Sequence, residues 1–369
     1  MTKTHNTPIL ILGGGLIGLS IAYELSRKGE KVKVLSRSRK EAAGFVAAGM
    51  LAPHAEGLED EMLKLGQESL KEIPLWVKNI EADSGMKCGL RQSGIIVPFH
   101  SDDEIDKYPT SKFGKYLSHQ EIKNEIPNLE DSWKTGILFP LDGQIDNRRQ
   151  LMRALEKACF SKGVQFEEGI EVKEILQESQ YFYGVKIKNC FGEIKNIFSN
   201  KAILCCGAWS KQVFHEIPIY PVKGQMLSIQ GPKNALKRIL FRQRTYLVPR
   251  EDGLIVIGAT IENDAGFAIG NTPAGQKELL EGIRNLLPEA NRWPHMEHWW
   301  GFRPTTPDKM PLLGESSLKN LFLATGHYRN GVLLAAKTSQ LILKLIQGLE
   351  LNNLDKQFLK NFSVKRFEN

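Results

Sequence analysis

The apolar positions of the chain fall into short runs whose spacing changes along its length. Residues 8–12, Pro-Ile-Leu-Ile-Leu, form a continuous apolar run of strand length. From 19 to 28 the spacing becomes helical, with Ile17, Ile21, Ala22 and Leu25 on one face. Residues 31–35, Lys-Val-Lys-Val-Leu, predict a second strand. Residues 94–97 and 202–207 are further short apolar stretches that predict strands. Residues 246–250 and 253–260 flank the turn Glu251, Asp252 and Gly253, and together they predict a hairpin. Towards the end, 320–326 predict a strand, 327–331 a turn and 332–347 an apolar helix. The pattern predicts an α/β chain, α+β overall, with no internal repeat and no low-complexity linker.

The first strand runs straight into glycines. Gly13, Gly15 and Gly18 stand in the order G-x-G-x-x-G, and strand, turn, helix and strand follow in fewer than 30 residues. Each glycine has a physical reason. Gly13 permits a tight turn, Gly15 lets a pyrophosphate touch the backbone, and Gly18 lets helix and strand pack closely. Leu16 and Ile17 open the helix, whose first N–H groups are free for phosphate oxygens. The pattern predicts a dinucleotide; its alternative is a glycine-rich turn with no ligand. An acid usually ends the second strand and binds the adenosine ribose. Here that place holds Ser36, followed by Arg37, Ser38 and Arg39. A missing acid beside arginines also suits a 2′-phosphate, so this fingerprint alone leaves FAD and NADP both open. A neutral serine makes a hydrogen bond roughly half as strong as a charged partner does.

Composition narrows the class. A length of 369 residues suits two domains, and 41% hydrophobic with 25% charged residues is ordinary for a soluble protein. No run reaches the roughly 18 apolar residues of a membrane span. The polar stretch 1–8 lacks the features of a signal peptide, so a cytoplasmic location is expected. The net charge of +7 comes from scattered lysines and arginines, which predicts a solvated surface and no nucleic-acid partner. A modest positive field still favours the arrival of an anionic substrate. The five cysteines are odd in number and form no C-x-x-C pair, which argues against disulfides and against a metal centre.

Further motifs decide the cofactor. The small residues Ala47, Ala48, Gly49, Met50, Leu51 and Ala52 follow the second strand, and small side chains let a backbone approach a flat ring. Strand 202–207 ends in Cys205-Cys206-Gly207-Ala208-Trp209-Ser210. Pro221-Val-Lys-Gly-Gln225, Tyr246-Leu-Val-Pro-Arg250, Gly301-Phe-Arg-Pro-Thr-Thr-Pro-Asp308 and Gly326-His-Tyr-Arg-Asn-Gly331 follow in order. Together these motifs cover nearly the whole chain and resemble the D-amino-acid oxidase superfamily, within it the glycine oxidase branch of the thiamine pathway. The resemblance implies FAD rather than NADP, with Ser36 a local substitution that bears on how the ribose is held. It implies a Rossmann-like FAD-binding domain, from segments 1–82, 144–219 and 299–369, interleaved with an antiparallel-sheet substrate domain from 83–143 and 220–298. The FAD-binding set it implies is Gly13, Gly15, Leu16, Ile17, Gly18, Ser36, Arg37, Ala47, Ala48, Gly49, Met50, Val172, Gly207, Trp209, His327, Tyr328, Arg329, Asn330, Gly331, Val332 and Leu333. His54 and Glu56 are placed near the site entrance. Some relatives attach flavin through a cysteine near 301–308; none occurs after Cys206 here, so non-covalent FAD is expected. A homo-oligomer, a tetramer by resemblance, is also implied.

The chemistry assigns roles. Oxidising an amino acid removes the Cα hydrogen with its electron pair, as hydride to flavin N5. That route needs no strong base at Cα, and the protein supplies position and field. Arginine binds a carboxylate bidentately, worth about 1.5–3 kcal/mol per charged hydrogen bond. The resemblance puts this clamp at Arg303, adds the Tyr246 hydroxyl, and sets Arg329 on the other side. Met50 and Ile261 would line a small pocket, and the helix from Gly331 would turn its positive end to the flavin. The expected activity is oxidation of glycine by molecular oxygen and water to glyoxylate, ammonia and peroxide, the imine feeding thiazole synthesis. The alternatives are a related D-amino-acid or sarcosine oxidase or dehydrogenase, or a flavoprotein that modifies RNA or binds a partner without oxidising amines.

Overall fold

The computed structural model describes residues 7–242 and 244–368. Residues 1–6, most of the stretch read as lacking signal-peptide features, lie outside them. A six-stranded sheet has the order Leu312–Glu315, Leu321–Thr325, Ala202–Leu204, Ile9–Leu12, Val32–Ser36, Gln165–Glu168. All its pairings are parallel except that of the first two strands. Ile9, Ile11, Val34, Ile203 and Ala324 turn to one apolar cluster, and Leu10, Leu12, Leu35, Leu204 and Leu323 to another. Both faces are covered, which is why these strands read as unbroken apolar runs.

Helix Leu16–Arg27 starts three residues before the helical spacing became visible, because the last turn residues are already helical. It packs against helix Gly331–Gln347, which is buried along most of its length and stops at Gly348, left-handed at φ 63°. A long helix, Asp60–Ser84, packs on Gly331–Gln347 and on helix Met152–Ser161, with Leu65, Ser69, Ile73, Trp76, Val77 and Ile80 inward. Ser69 ties it to Gly331–Gln347, donating to Leu333 O at 2.6 Å and accepting from Lys337 N at 3.2 Å.

The second sheet has eight strands in the order His295–Thr305, Tyr220–Gln230, Leu254–Gly258, Thr245–Pro249, Ile239–Arg242, Ile95–Phe99, Thr135–Phe139, Lys115–Leu117. The hairpin expected at 246–260 is present, with Tyr246 opposite Gly258. The sheet is not purely antiparallel: Ile239–Arg242 runs parallel to Ile95–Phe99, a long-range pairing that no local turn announces. Period-two alternation divides its faces. Leu227, Leu247, Ile255 and Ile257 pack with Leu279 and Ile283 of helix Pro273–Leu286, while Met226, Tyr246, Val248 and Val256 turn to Ala48, Ala52 and Ala55. That second face looks towards the glycine turn.

The glycine turn itself sets a tight tolerance. A Cβ on Gly18 would stand 2.0 Å from Gly13 O, and backbone cannot give way cheaply. Gly18→Ala is expected to destabilise the protein by about 1–3 kcal/mol. Urea unfolding followed by circular dichroism measures it, and an unchanged midpoint would contradict the close packing described.

Candidate active site

One cleft of about 1830 Å³, open solvent at its mouth included, runs from the glycine turn to the face of the eight-stranded sheet. At one end Gly13 is left-handed at φ 114°, and a Cβ there would meet Cys205 O at 2.4 Å. Gly15 differs. Its nearest obstacle would be Ala42 Cβ at 3.4 Å, so the protein itself barely requires glycine there. Gly15 is also the N-cap of helix Leu16–Arg27, with no side chain satisfying the first N–H groups. Open space in front of bare, unsatisfied donors fits a pyrophosphate.

Ser36 is buried at the end of its strand and lines the cleft. The arginines after it are engaged. Arg37 stacks 4.7 Å from the Trp209 ring and donates through Nε to Glu41 at 3.1 Å. Arg39 pairs with Glu156 and, at 3.0 Å, with Glu168. Both arginines already face carboxylates, which weighs against a 2′-phosphate and so against NADP. Cys205 and Cys206 line the cleft beside Gly13, and burial raises both thiols, Cys206 to about 12. Thiols so protonated are not nucleophiles.

The middle of the cleft is walled by backbone. Gly49 is left-handed at φ 88°, with room for no Cβ beside Ile145 O. Gly301 is bare against Val46, and Trp299 Nε1 donates to Val46 O at 3.0 Å. Arg250, buried, donates to Ala48 O at 2.5 Å and to Gln144 Oε1 at 2.7 Å. Opposite, Tyr328 sits at φ 47°, a strained conformation for a bulky residue, with its N–H on Pro304 O at 2.9 Å. His327 is buried on Thr338 Oγ1 at 3.0 Å, and burial pushes its ring down to about 3, so it is neutral. Gly331 and Val332 bring the uncapped start of helix Gly331–Gln347 to the cleft wall. Two closely approaching backbones and a positive helix end fit a flat, electron-accepting ring.

The far end is ionic. Arg303 Nη1 donates to Thr260 O at 3.1 Å and to Lys223 O at 3.3 Å, and its guanidinium lies across bare Gly224. Burial lowers its proton affinity, offset chiefly by Tyr246. Burial holds the Tyr246 phenol above its usual range, so it stays a donor. Glu56 faces Arg329 at 3.6 Å; burial raises the Glu56 carboxyl, and Glu56 in turn raises Arg329.

Most expected residues meet at this cleft: Gly13, Gly15, Leu16, Ile17, Ser36, Arg37, Ala47, Ala48, Gly49, Met50, Val172, Gly207, Trp209, Tyr246, Arg303, His327, Tyr328, Arg329, Gly331 and Val332. Gly18, Asn330, Leu333 and Ile261 are not in its wall. Gly18 packs on Gly13, and Leu333 faces the Asp60–Ser84 helix. The strand before Ile261 ends at Gly258, so alternation does not carry residue 261 to the cleft. Met226, its sulfur 3.5 Å from the Tyr246 hydroxyl, forms that wall instead. Sequence reasoning missed Met226, Gly224 and Arg250. The first two lie two residues apart on the strand of Pro221-Val-Lys-Gly-Gln225, and period two was the signal that could have found them. His54 is neither surface nor wall: its Nδ1 binds buried Asp142 at 2.6 Å.

Two measurements check this end-to-end assignment. Ser36→Glu is expected to tighten FAD, read by titrating apoprotein with flavin; weaker retention would contradict a ribose beside Ser36. Acid denaturation is expected to release all flavin into the supernatant, and yellow precipitate would contradict inert Cys205 and Cys206.

Known proteins place the chain. Residues 8–345 match the family described as DAO, FAD dependent oxidoreductase. The bifunctional protein ThiO/ThiG of Trichormus variabilis is 40% identical over 98% of this chain and 55% of its own length. The chain spans about half the length of the curated relatives of this kind that it matches. The glycine oxidase of Geobacillus kaustophilus is 28% identical over 94% of both chains. The crystal structure of glycine oxidase from that organism superposes with a TM-score of 0.87 at 27% identity, covering 97% of this chain and 98% of that one.

Proposed function

Because the chain belongs to the DAO family of FAD-dependent oxidoreductases, we propose that it oxidises a small amino acid, glycine foremost, with FAD held non-covalently along the cleft. The observation that carries the reading is the half-buried Arg303 guanidinium, facing the cleft beside a protonated Tyr246. A cation in that place leaves water only for a ligand that replaces its hydration, and a carboxylate does so with two parallel hydrogen bonds. Relatives named glycine oxidase, matching along nearly their full length, support glycine as the amino acid. The ThiO/ThiG relatives support a place upstream of thiazole formation in thiamine biosynthesis, with the imine as the product handed on.

Bound FAD supplies the two-electron acceptor. The residues of the chain supply everything around it. Gly13, Gly15 and the start of helix Leu16–Arg27 hold the pyrophosphate, and Ser36 meets the ribose. The backbone of 47–50 and of 327–332 confines the ring, and the helix end beginning at Gly331 favours negative charge beside it. Arg303 and Tyr246 fix the substrate carboxylate, which orients Cα without a base at carbon. Met50 and Met226 give the substrate end an apolar wall that suits a small side chain. The same reading divides the labour between an FAD-binding part (1–82, 144–219, 299–369) and a substrate-binding part (83–143, 220–298).

Arg303→Leu is expected to cost about 2–4 kcal/mol of glycine binding, read as a raised KM. An unchanged KM would remove Arg303 from the site. Stopped-flow reoxidation tests oxygen as the acceptor: the rate is expected to rise with dissolved oxygen, and a rate insensitive to it would make the protein a dehydrogenase.

A further inference from the structure

The substrate end of the cleft holds two cations, Arg303 and Arg329, and one carboxylate, Glu56. The clamp on the substrate carboxylate uses Arg303 and Tyr246 and leaves Glu56 without a task. Its side chain is nine-tenths buried, at 10% exposure. Arg329 stands off at 3.6 Å, and among the described residues no donor reaches a Glu56 oxygen within hydrogen-bond distance. The carboxylate lies in the cleft wall with its oxygens open to a ligand, and a charged donor arriving there would complete it.

Glu56 is also held firmly. Buried Asp142 accepts from His54 N at 3.2 Å, from Ala55 N at 2.7 Å and from the His54 ring at 2.6 Å. The other ring nitrogen lies 3.0 Å from Gln67 Nε2. Tyr108 donates to Ala55 O and Thr110 to His54 O. The His54 ring packs on Phe113, with centroids 4.9 Å apart. Five side chains of the 108–142 stretch and of the Asp60–Ser84 helix thus fix two consecutive residues, His54 and Ala55, and the next, Glu56, enters the cleft. That is more restraint than a solvent-facing loop requires.

A zwitterionic substrate brings an ammonium as well as a carboxylate. An ammonium cannot release hydride from the neighbouring carbon, because its nitrogen has no lone pair to form the C=N bond. We propose that Glu56 receives the substrate ammonium and takes one proton from it before the Cα–H bond breaks. An N–H bond breaks, an O–H bond forms on Glu56, and the nitrogen keeps the electron pair; nothing is oxidised in this step. Burial, which raises the Glu56 carboxyl, suits it to accept a proton. The Arg329 charge works against that rise and favours the ionised form. His54 and Asp142 are positioning residues in this arrangement and touch no substrate.

The inference rests on the amino-acid-oxidising reading, and the test separates the two. Flavin-loaded wild type, Glu56→Gln and Glu56→Asp are compared for glycine KM and for inhibition by acetate, which carries a carboxylate and no amine. Glu56→Gln is expected to raise the glycine KM roughly 10- to 100-fold, the loss of one charged hydrogen bond, and to leave the acetate inhibition constant unchanged. Glu56→Asp is expected to recover part of the loss. Equal weakening of glycine and acetate would reduce Glu56 to a structural role, and an unchanged KM would remove it from the substrate; either overturns the inference. A wild type that oxidises no amino acid overturns the functional reading itself, and this inference with it.

Discussion

The ladder between Tyr220–Gln230 and His295–Thr305 is what the site hangs on. Its register sets Val222 opposite Arg303, Gly224 opposite Gly301 and Met226 opposite Trp299. Gly224 must be bare because the Arg303 guanidinium lies across it, with Nη1 only 2.3 Å from where a Cβ would stand. Gly301 must be bare because the segment before Ala47 presses on it through Val46. A slip of one residue in His295–Thr305 would turn Arg303 to the opposite face, away from the cleft. The proposed substrate clamp and ring cradle are thus two consequences of one strand pairing.

That pairing supports an expensive arrangement. Taking a charge out of water costs several kcal/mol per ion, and two guanidinium groups and one carboxylate lie at the cleft's far end. Arg303 is stabilised by two backbone carbonyls and, among the described residues, by no carboxylate in direct contact, an arrangement that attracts an anion without satisfying it. The stability of the rest of the molecule has to carry this cost. Its parallel sheet is buried on both faces, and helix Gly331–Gln347 is almost entirely enclosed.

How much of this was legible in the sequence depended on range. Features set by neighbours in the chain were readable: the glycine turn, the hairpin around Gly253, and the strand and helix either side of 327–331. The helix start at Leu16 and the strand ends moved by a few residues, as fraying ends do. Features set by distant pairing were not readable. The parallel pairing of Ile239–Arg242 with Ile95–Phe99, the hold of Asp142 on His54, and Arg250 behind Ala48 join residues some 88 to 202 apart for the two side-chain contacts. Ile261 illustrates the boundary between the two. Residue type and approximate position suited a pocket wall, yet the end of a strand at Gly258 gave that place to Met226. Arg37 and Arg39 show the converse: the glycine fingerprint left two cofactors open beside them, and only the fold shows that Glu41, Glu156 and Glu168 already face their charges.

The central claim is that one cleft brings a flavin and the carboxylate of a small amino acid together, with Arg303 as the point of capture. An anaerobic titration of the flavin-loaded protein with glycine tests it most directly. The account predicts that the oxidised-flavin absorbance is lost as glycine is added, with saturation, and that acetate competes against that loss. A flavin that stays oxidised at every glycine concentration, in protein that binds FAD and remains folded, would contradict it.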